Sequence, residues 1–130
     1  MYHVFAYKDK NGKSPVKDYL TELTSKGDKD SRIKASKIFA HIAYLKQSGP
    51  RAKEPYAKNL GDGIWELRPL RDRILYAAWS SKSFIMLHVF MKDTQKTPKR
   101  EIEQAKRNLA DIKRNLADIK ERGIKDEFAE

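Results

Sequence analysis

The sequence contains no cysteine and few glycines, and these absences exclude several kinds of site. Without cysteine, neither disulfide bonds nor thiolate metal ligands can form, which is consistent with a reducing compartment. The glycines form no phosphate-binding loop, because Gly61-Asp62-Gly63 lacks the spacing of either known motif. No serine lies in a nucleophile elbow, and the three histidines are isolated and follow no HExxH pattern.

Long hydrophobic runs and an N-terminal signal pattern are also missing. No stretch approaches the roughly 18 apolar residues that a membrane helix requires. The start, MYHVFAYKDK, lacks the basic-then-apolar order of a signal peptide. We therefore expect a cytoplasmic protein without membrane contact. With 130 residues, 39% of them hydrophobic, the chain has the size of one domain and can build a core.

Positive charge is in excess. The chain has 28 lysines and arginines against 18 acidic residues, which gives a net charge of +10. A basic surface attracts polyanions, so nucleic acid or an acidic protein is the expected partner. The lysines are spread along the chain, which favours a folded basic surface over a disordered arm.

Hydrophobic periodicity and turn residues predict the element order β-α-α-β-β-β-α. The predicted elements are a strand at Tyr2–Tyr7, a helix from Pro15 to about Lys26, a helix from Asp28 or Asp30 to Ser48, strands at Gly63–Pro69, Arg71–Ser80 and Phe84–Met91, and a long helix that opens at Thr97-Pro98. The segment Arg51–Asp62 has no clear period and is predicted to be a basic connector. This order predicts an α+β fold, with the helices on one face of a small antiparallel sheet.

The strands at Gly63–Pro69 and Arg71–Ser80 are predicted to pair as a hairpin that turns at Pro69–Asp72. Arg68 then lies opposite Arg73, and opposed residues of an antiparallel pair point to the same face. The other face is apolar and can pack on helices. Two neighbouring guanidinium groups suit a phosphate or carboxylate, because each offers a planar fork of donors. The alternative is that one or both arginines are solvated charges.

Further basic residues follow the last strand and begin the last helix, namely Lys92, Lys96 and Lys99. A helix N-terminus favours anions through its free N–H groups and its dipole. RNA supplies its own nucleophile, the 2′-OH, so its cleavage requires a protein to align the backbone, stabilise charge and move protons. Arginine and lysine can do the first two without a metal or cofactor.

Other polar residues are expected to play lesser parts. Glu66 and Asp72 are poor metal ligands, because basic residues surround them. Tyr76 is expected to point into the core. His88 lies in an otherwise apolar strand, where a core histidine is more common than a catalytic one.

The last helix contains an exact repeat. Lys106–Ile112 and Lys113–Ile119 both read KRNLADI. The extra copy is expected to lengthen the helix by about two turns, roughly 10 Å. A duplication without function and a longer docking face for a partner helix or second protomer both stay open. We expect one domain over 1–122, with Gly123 ending the helix, and a frayed acidic tail at 123–130.

Two segments, Ile64–Trp79 (IWELRPLRDRILYAAW) and Phe90–Ala105 (FMKDTQKTPKREIEQA), resemble the RelE/ParE superfamily of toxins from toxin–antitoxin pairs. Within it, the chain is most similar to the HigB-like, phage-derived branch. The element order agrees with this resemblance, which covers about Tyr2 to Asn108. The resemblance therefore implies a RelE-like fold.

The resemblance implies a ribosome-dependent mRNA endonuclease, an mRNA interferase that enters the decoding site and cuts within codons. Its products would be 2′,3′-cyclic phosphate and 5′-OH ends, formed without a metal or cofactor. It also implies a cognate antitoxin, usually a helix-turn-helix protein, so that operator DNA is bound only through the toxin–antitoxin complex. That antitoxin either covers the arginine face or grips the helices and bars ribosome entry, and the sequence leaves both open.

The resemblance also implies residue roles. Arg73 matches the arginine that contacts the scissile phosphate, and Arg68 matches a basic position at the end of the preceding strand. Lys92 and Lys96 fall in the loop that carries basic catalytic groups in relatives, which completes the predicted catalytic set. The predicted substrate-binding residues are Lys58, Arg71, Lys99 and Lys53.

The chain departs from RelE at two places. Ile64 and Glu66 replace the paired lysines of the second strand, and no tyrosine in the final helix matches the stacking residue. Lys58, Lys92 or His88 are the candidates for proton transfer. Two other functions stay open: a ParE-like inhibitor of DNA gyrase, which cuts nothing, and a non-catalytic nucleic-acid-binding accessory protein.

Overall fold

The structure is a computed structural model that describes residues 1–93 and 95–114. Within these residues, the chain forms five β-strands, three α-helices and one short 3-10 helix. In chain order they are β1 (His3–Ala6), α1 (Pro15–Lys26), α2 (Lys29–Ser48), the 3-10 helix (Gly49–Arg51), β2 (Ala57–Gly61), β3 (Ile64–Leu67), β4 (Asp72–Ser80), β5 (Ser83–Met91) and α3 (Lys99–Arg114).

The strands form one mixed sheet in the order β1-β5-β4-β3-β2. The α+β class is confirmed, but the predicted all-antiparallel sheet with four strands is wrong in two respects. First, β1 pairs parallel to β5. Second, the predicted connector Arg51–Asp62 contains β2, which pairs antiparallel with β3. Ala57 is buried while Lys58 and Asn59 are exposed, so this strand carries little of the apolar alternation that identifies a strand.

Helix starts and stops follow the capping residues that the sequence predicted. Ser14 and Pro15 precede and open α1, and Gly27 ends it with a left-handed φ of 78°. The Asp28 carboxylate caps α2 by accepting a hydrogen bond from the Ser31 N–H at 3.0 Å. The bounds of α1 and the start of α2 agree with these local signals, although the Ser14 side chain makes no capping hydrogen bond.

Helices cover both faces of the sheet. Helices α1 and α2 pack on the face that carries Leu67, Ile74 and Tyr76. Helix α3 packs on the opposite face, against Leu75 and Ala77. The predicted arrangement with all helices on one face is therefore wrong. The second face is polar around Glu66 and Arg73 and mostly apolar elsewhere. Helix α3 covers the apolar part.

Polar contacts from the first repeat copy fix α3 on the sheet. Asn108 is buried, and its Nδ2–H donates to the Leu87 carbonyl at 2.8 Å. Lys106 pairs with Asp62 at 2.7 Å. The predicted extension of the helix through the second copy, its end at Gly123 and the tail at 123–130 lie outside the described residues, apart from Lys113 and Arg114 at the end of α3.

Among the described residues, no helix combines the length and the hydropathy that crossing a membrane requires.

The Asn108 contact leads to a stability prediction. Replacing Asn108 by Ala leaves the buried Leu87 carbonyl without its donor, so the free energy of unfolding should fall by about 2 kcal/mol in urea denaturation. Asn115→Ala is the matched comparison, because Asn115 has the same place in the second KRNLADI copy. A larger loss for Asn115→Ala than for Asn108→Ala would contradict the assignment of the docking contact to the first copy.

Candidate nucleic-acid interface

The β3–β4 hairpin has the predicted register. Trp65 pairs with Tyr76, Glu66 with Leu75 and Leu67 with Ile74. Continued by one step, this register places Arg68 opposite Arg73, as the sequence predicted. Tyr76 is buried in the core, also as predicted.

A buried carboxylate lies between the two arginines. Glu66 is 1% exposed. Its Oε1 lies 3.6 Å from the Nε of Arg68 and 3.9 Å from the Nε of Arg73. Its other oxygen accepts a hydrogen bond from the hydroxyl of Thr97, in the segment that leads into α3. Glu66 therefore joins both arginines and the approach to α3 in one network.

Sequence reasoning treated Glu66 as a poor metal ligand and as a departure from the RelE lysines, and it did not predict this role. The pattern that could have revealed it was present, because strand alternation puts Glu66 and Arg68 on one face, with Arg73 diagonally across. Thr97 was expected to cap the final helix, but its hydroxyl donates to Glu66 instead.

Arg73 is held rigidly and is nearly buried, with 8% of the residue exposed. Its Nη1 donates to the carbonyls of Leu70 and Asp72, each at 2.8 Å. Leu70 lies in the hairpin turn with a left-handed φ of 55°. Burial lowers the pKa of Arg73 from its ordinary value, and the Glu66 carboxylate opposes that shift. The guanidinium is therefore charged and fixed at the end of the sheet.

Arg68 is more open. Its side chain is 22% exposed, and its Nη1 donates to the carboxylate of Glu54 at 3.2 Å. The two arginines are thus near each other, but each already has an acidic partner. They do not form the freely exposed pair that the hairpin register alone suggested.

Most of the predicted site residues line two adjoining clefts. One, of about 430 Å³, is lined by Arg71, Arg73, Lys92, Asp93 and Gln95. The other, of about 350 Å³, is lined by residues that include Lys58, Glu66, Arg68, Lys92, Gln95 and Lys96. Lys92 and Gln95 line both clefts. Gln95 carries no charge, and sequence reasoning did not select it.

Lys92 lies where the clefts meet. Its backbone N–H donates to the Arg71 carbonyl at 2.8 Å, and Nη2 of Arg71 donates back to the Lys92 carbonyl at 3.2 Å. Partial burial, and then the nearby charges of Arg73 and Arg68, lower the pKa of Lys92 from its ordinary value, while Glu66 acts in the opposite direction. A lysine with a lowered pKa gives up its proton more readily.

Two predicted substrate-binding residues lie apart from the residues that line these clefts. Lys99 is exposed at the first position of α3. Lys53 is exposed before β2, and its backbone N–H donates to the Tyr44 hydroxyl at 3.1 Å. The structure therefore brings together six of the eight predicted basic residues: Arg68, Arg71, Arg73, Lys58, Lys92 and Lys96.

His88 lies on the α3 side of the sheet and is not among the residues that line the clefts. Its Nε2 is 2.7 Å from the Glu101 carboxylate, and its ring stacks near Phe90. A contact with an acidic residue of α3 gives His88 a structural partner. In residues 1–93 and 95–114, no group of three His, Cys, Asp or Glu side chains is arranged to hold a metal ion.

The clefts suit an extended anion with more than one phosphate. Fixed arginines can donate two parallel hydrogen bonds to a phosphate, whereas the lysines act as mobile point charges. A cleft at the end of a sheet, lined by five or more side chains from different segments, can hold a backbone in one orientation.

The family model described as "Phage derived protein Gp49-like (DUF891)" matches residues 24–110. The matched part is about two thirds of the chain and includes all residues of both clefts. No curated protein sequence matches the chain.

The central position of Glu66 leads to a second stability prediction. Glu66→Ala removes the carboxylate from a nearly buried arginine, so the free energy of unfolding should fall by about 3 kcal/mol. Glu54→Ala is the control. Glu54 is exposed, and its ion pair with Arg68 lies at the protein surface, where such a pair contributes little. Urea denaturation of both variants measures the difference, and equal losses would contradict a central role for Glu66.

Proposed function

Because the chain belongs to the phage-derived Gp49-like family, we propose that it is the toxin of a type II toxin–antitoxin pair. In this proposal it inhibits translation by cutting mRNA on the ribosome. The observation that carries the proposal is the convergence of Arg68, Arg73 and Lys92 at one end of the sheet. The resemblance to HigB-like toxins supports the same function.

Arg73 and Arg68 would bind the scissile phosphate. The guanidinium of Arg73 is fixed by two carbonyls and a carboxylate, so little reorganisation is needed when charge develops on the phosphoryl oxygens. Lys96 and Lys58 line the second cleft, where they would hold the neighbouring backbone in line.

The proposed reaction is an intramolecular transfer. The 2′-oxygen attacks the adjacent phosphorus, the bond from phosphorus to the 5′-oxygen breaks, and the products are a 2′,3′-cyclic phosphate and a 5′-OH. One proton leaves the 2′-OH and one is added to the departing 5′-oxygen. Lys92 is the favoured residue for proton transfer, because its pKa is lowered and it lies between the clefts.

The proposed partners follow from the same surface. The net charge of +10 favours the approach to ribosomal RNA and mRNA. A cognate helix-turn-helix antitoxin would neutralise the toxin, and operator DNA would be bound through their complex. Without cleavage, a basic protein of this fold would instead inhibit gyrase or only bind nucleic acid, and the experiment below separates these outcomes.

The proposed cleavage can be tested with translating ribosomes. Wild-type protein should give in-frame mRNA cuts by primer extension, and Arg73→Ala should cut at least roughly 100-fold more slowly, because a fixed donor to the developing charge is lost. Lys26→Ala is the charge-matched control, since Lys26 lies at the end of α1 and pairs with Glu22. Absence of cuts, combined with blocked DNA supercoiling, would select gyrase inhibition instead. Neither effect, combined with steeply salt-dependent nucleic-acid binding, would select a non-catalytic accessory protein.

The role of Lys92 can be tested by the pH dependence of cleavage. The lowered pKa leaves more neutral amine at each pH below the ordinary value of 10.5. If Lys92 accepts the 2′-OH proton, the rate should rise with pH and level off at a lower pH than an ordinary lysine would give.

Lys92→Arg keeps the positive charge but cannot give up its proton in this range, so it should lose both the rise and most of the activity. Full activity of Lys92→Arg would mean that Lys92 contributes charge alone.

A further inference from the structure

An exposed tyrosine adjoins the arginine site. Tyr56 is 46% exposed, although it is a large aromatic residue. Its carbonyl accepts a hydrogen bond from the backbone N–H of Arg68 at 3.0 Å. It directly precedes Ala57, which pairs with Leu67 in the β2–β3 register. The backbone therefore fixes Tyr56 beside Arg68.

Two further rings from α2 support Tyr56, and together the three form what we term the aromatic patch (His41, Tyr44 and Tyr56). The ring centroids of Tyr44 and Tyr56 are 4.7 Å apart, and those of His41 and Tyr56 are 5.7 Å apart in an edge-on arrangement. The hydroxyl of Tyr44 accepts a hydrogen bond from the Lys53 N–H, which ties the segment before β2 to α2. Tyr56 is therefore held by its neighbours while much of it stays open to solvent.

The aromatic patch is neutral beside a positively charged site. Burial lowers the pKa of His41 from 6.5, the hydrogen bond to the Lys37 carbonyl opposes that shift, and the charges of Lys37 and Arg73 add to it, so the net direction favours the neutral ring. Its Nδ1–H donates to the Lys37 carbonyl at 2.8 Å, which fixes the ring.

We propose that the exposed ring of Tyr56, supported by Tyr44 and His41, stacks on a nucleobase of the RNA strand whose phosphate Arg68 and Arg73 hold. This proposal rests on the proposed function and adds a base-binding subsite to it.

Ring chemistry and position favour a nucleobase as the ligand. Single-stranded RNA is bound by combining cationic contacts to the phosphates with aromatic rings on which bases stack. Both components lie together here, because the backbone of Arg68 is bonded to that of Tyr56. Stacking on a flat ring accepts any base, so the subsite would add affinity with little sequence preference.

The experiment compares two labelled ligands without ribosomes: a short single-stranded RNA, and the abasic ribose-phosphate chain of the same length and charge. Binding is measured by fluorescence anisotropy at fixed salt, because the phosphate contribution depends on salt. Tyr56→Ala should weaken binding of the RNA roughly tenfold and leave binding of the abasic chain unchanged. Tyr56→Phe keeps the ring and should bind both ligands like the wild type.

Ile33→Ala is the matched control for loss of an exposed apolar side chain, since Ile33 is 42% exposed on α2. Equal weakening of both ligands by Tyr56→Ala, or no change in either, would overturn the proposal. Unchanged RNA binding with lost binding of a purified antitoxin would assign Tyr56 to a protein interface and overturn it as well. If RNA binding depends on the Tyr56 ring but the protein cuts no mRNA, the proposed cleavage is overturned and the proposed base stacking is not.

Discussion

The arrangement of the site depends on one buried carboxylate. Glu66 faces Arg68 and Arg73 from the middle of the sheet and accepts a hydrogen bond from Thr97 before α3. Without a negative charge between them, the guanidinium groups of Arg68 and Arg73 would repel each other in this partly buried site. Glu66 thus lets the protein keep two arginines at one end of the sheet, at the cost of neutralising part of their charge.

This compensation changes how the basic surface functions. The arginines are oriented by the protein before any ligand binds, while Lys58, Lys92 and Lys96 add positive charge to the lining of the clefts. An anion bound in the clefts would therefore contact fixed guanidinium groups as well as mobile ammonium groups. Preorganised donors of this kind stabilise charge that develops during a reaction better than flexible ones do.

Local sequence patterns predicted those parts of the molecule that depend on neighbouring residues. The bounds of α1, the Asp28 cap of α2 and the register of Arg68 against Arg73 follow from local rules, and the structure agrees with them. The strand β2 and the placement of α3 on the second face depend on distant contacts, which the sequence pattern does not show. The site was predictable only in part for the same reason. Charge identifies arginines and lysines, and strand alternation puts Glu66 on their face, whereas the contact of Glu66 with Thr97 and the exposure of Tyr56 depend on the folded chain.

The strand β2 forms one edge of the sheet, and this edge has a consequence for protein solubility. An open strand edge can pair with another chain, and proteins counter this with short strands, bulges and lysines. The strand β2 has all three features: it is five residues long, its register shifts between Asn59 and Gly61, and it carries the exposed Lys58. Lys58 therefore disfavours edge-to-edge aggregation and also lines a cleft. A neutral residue at this position would lower both the colloidal stability of the protein and the positive charge of the cleft.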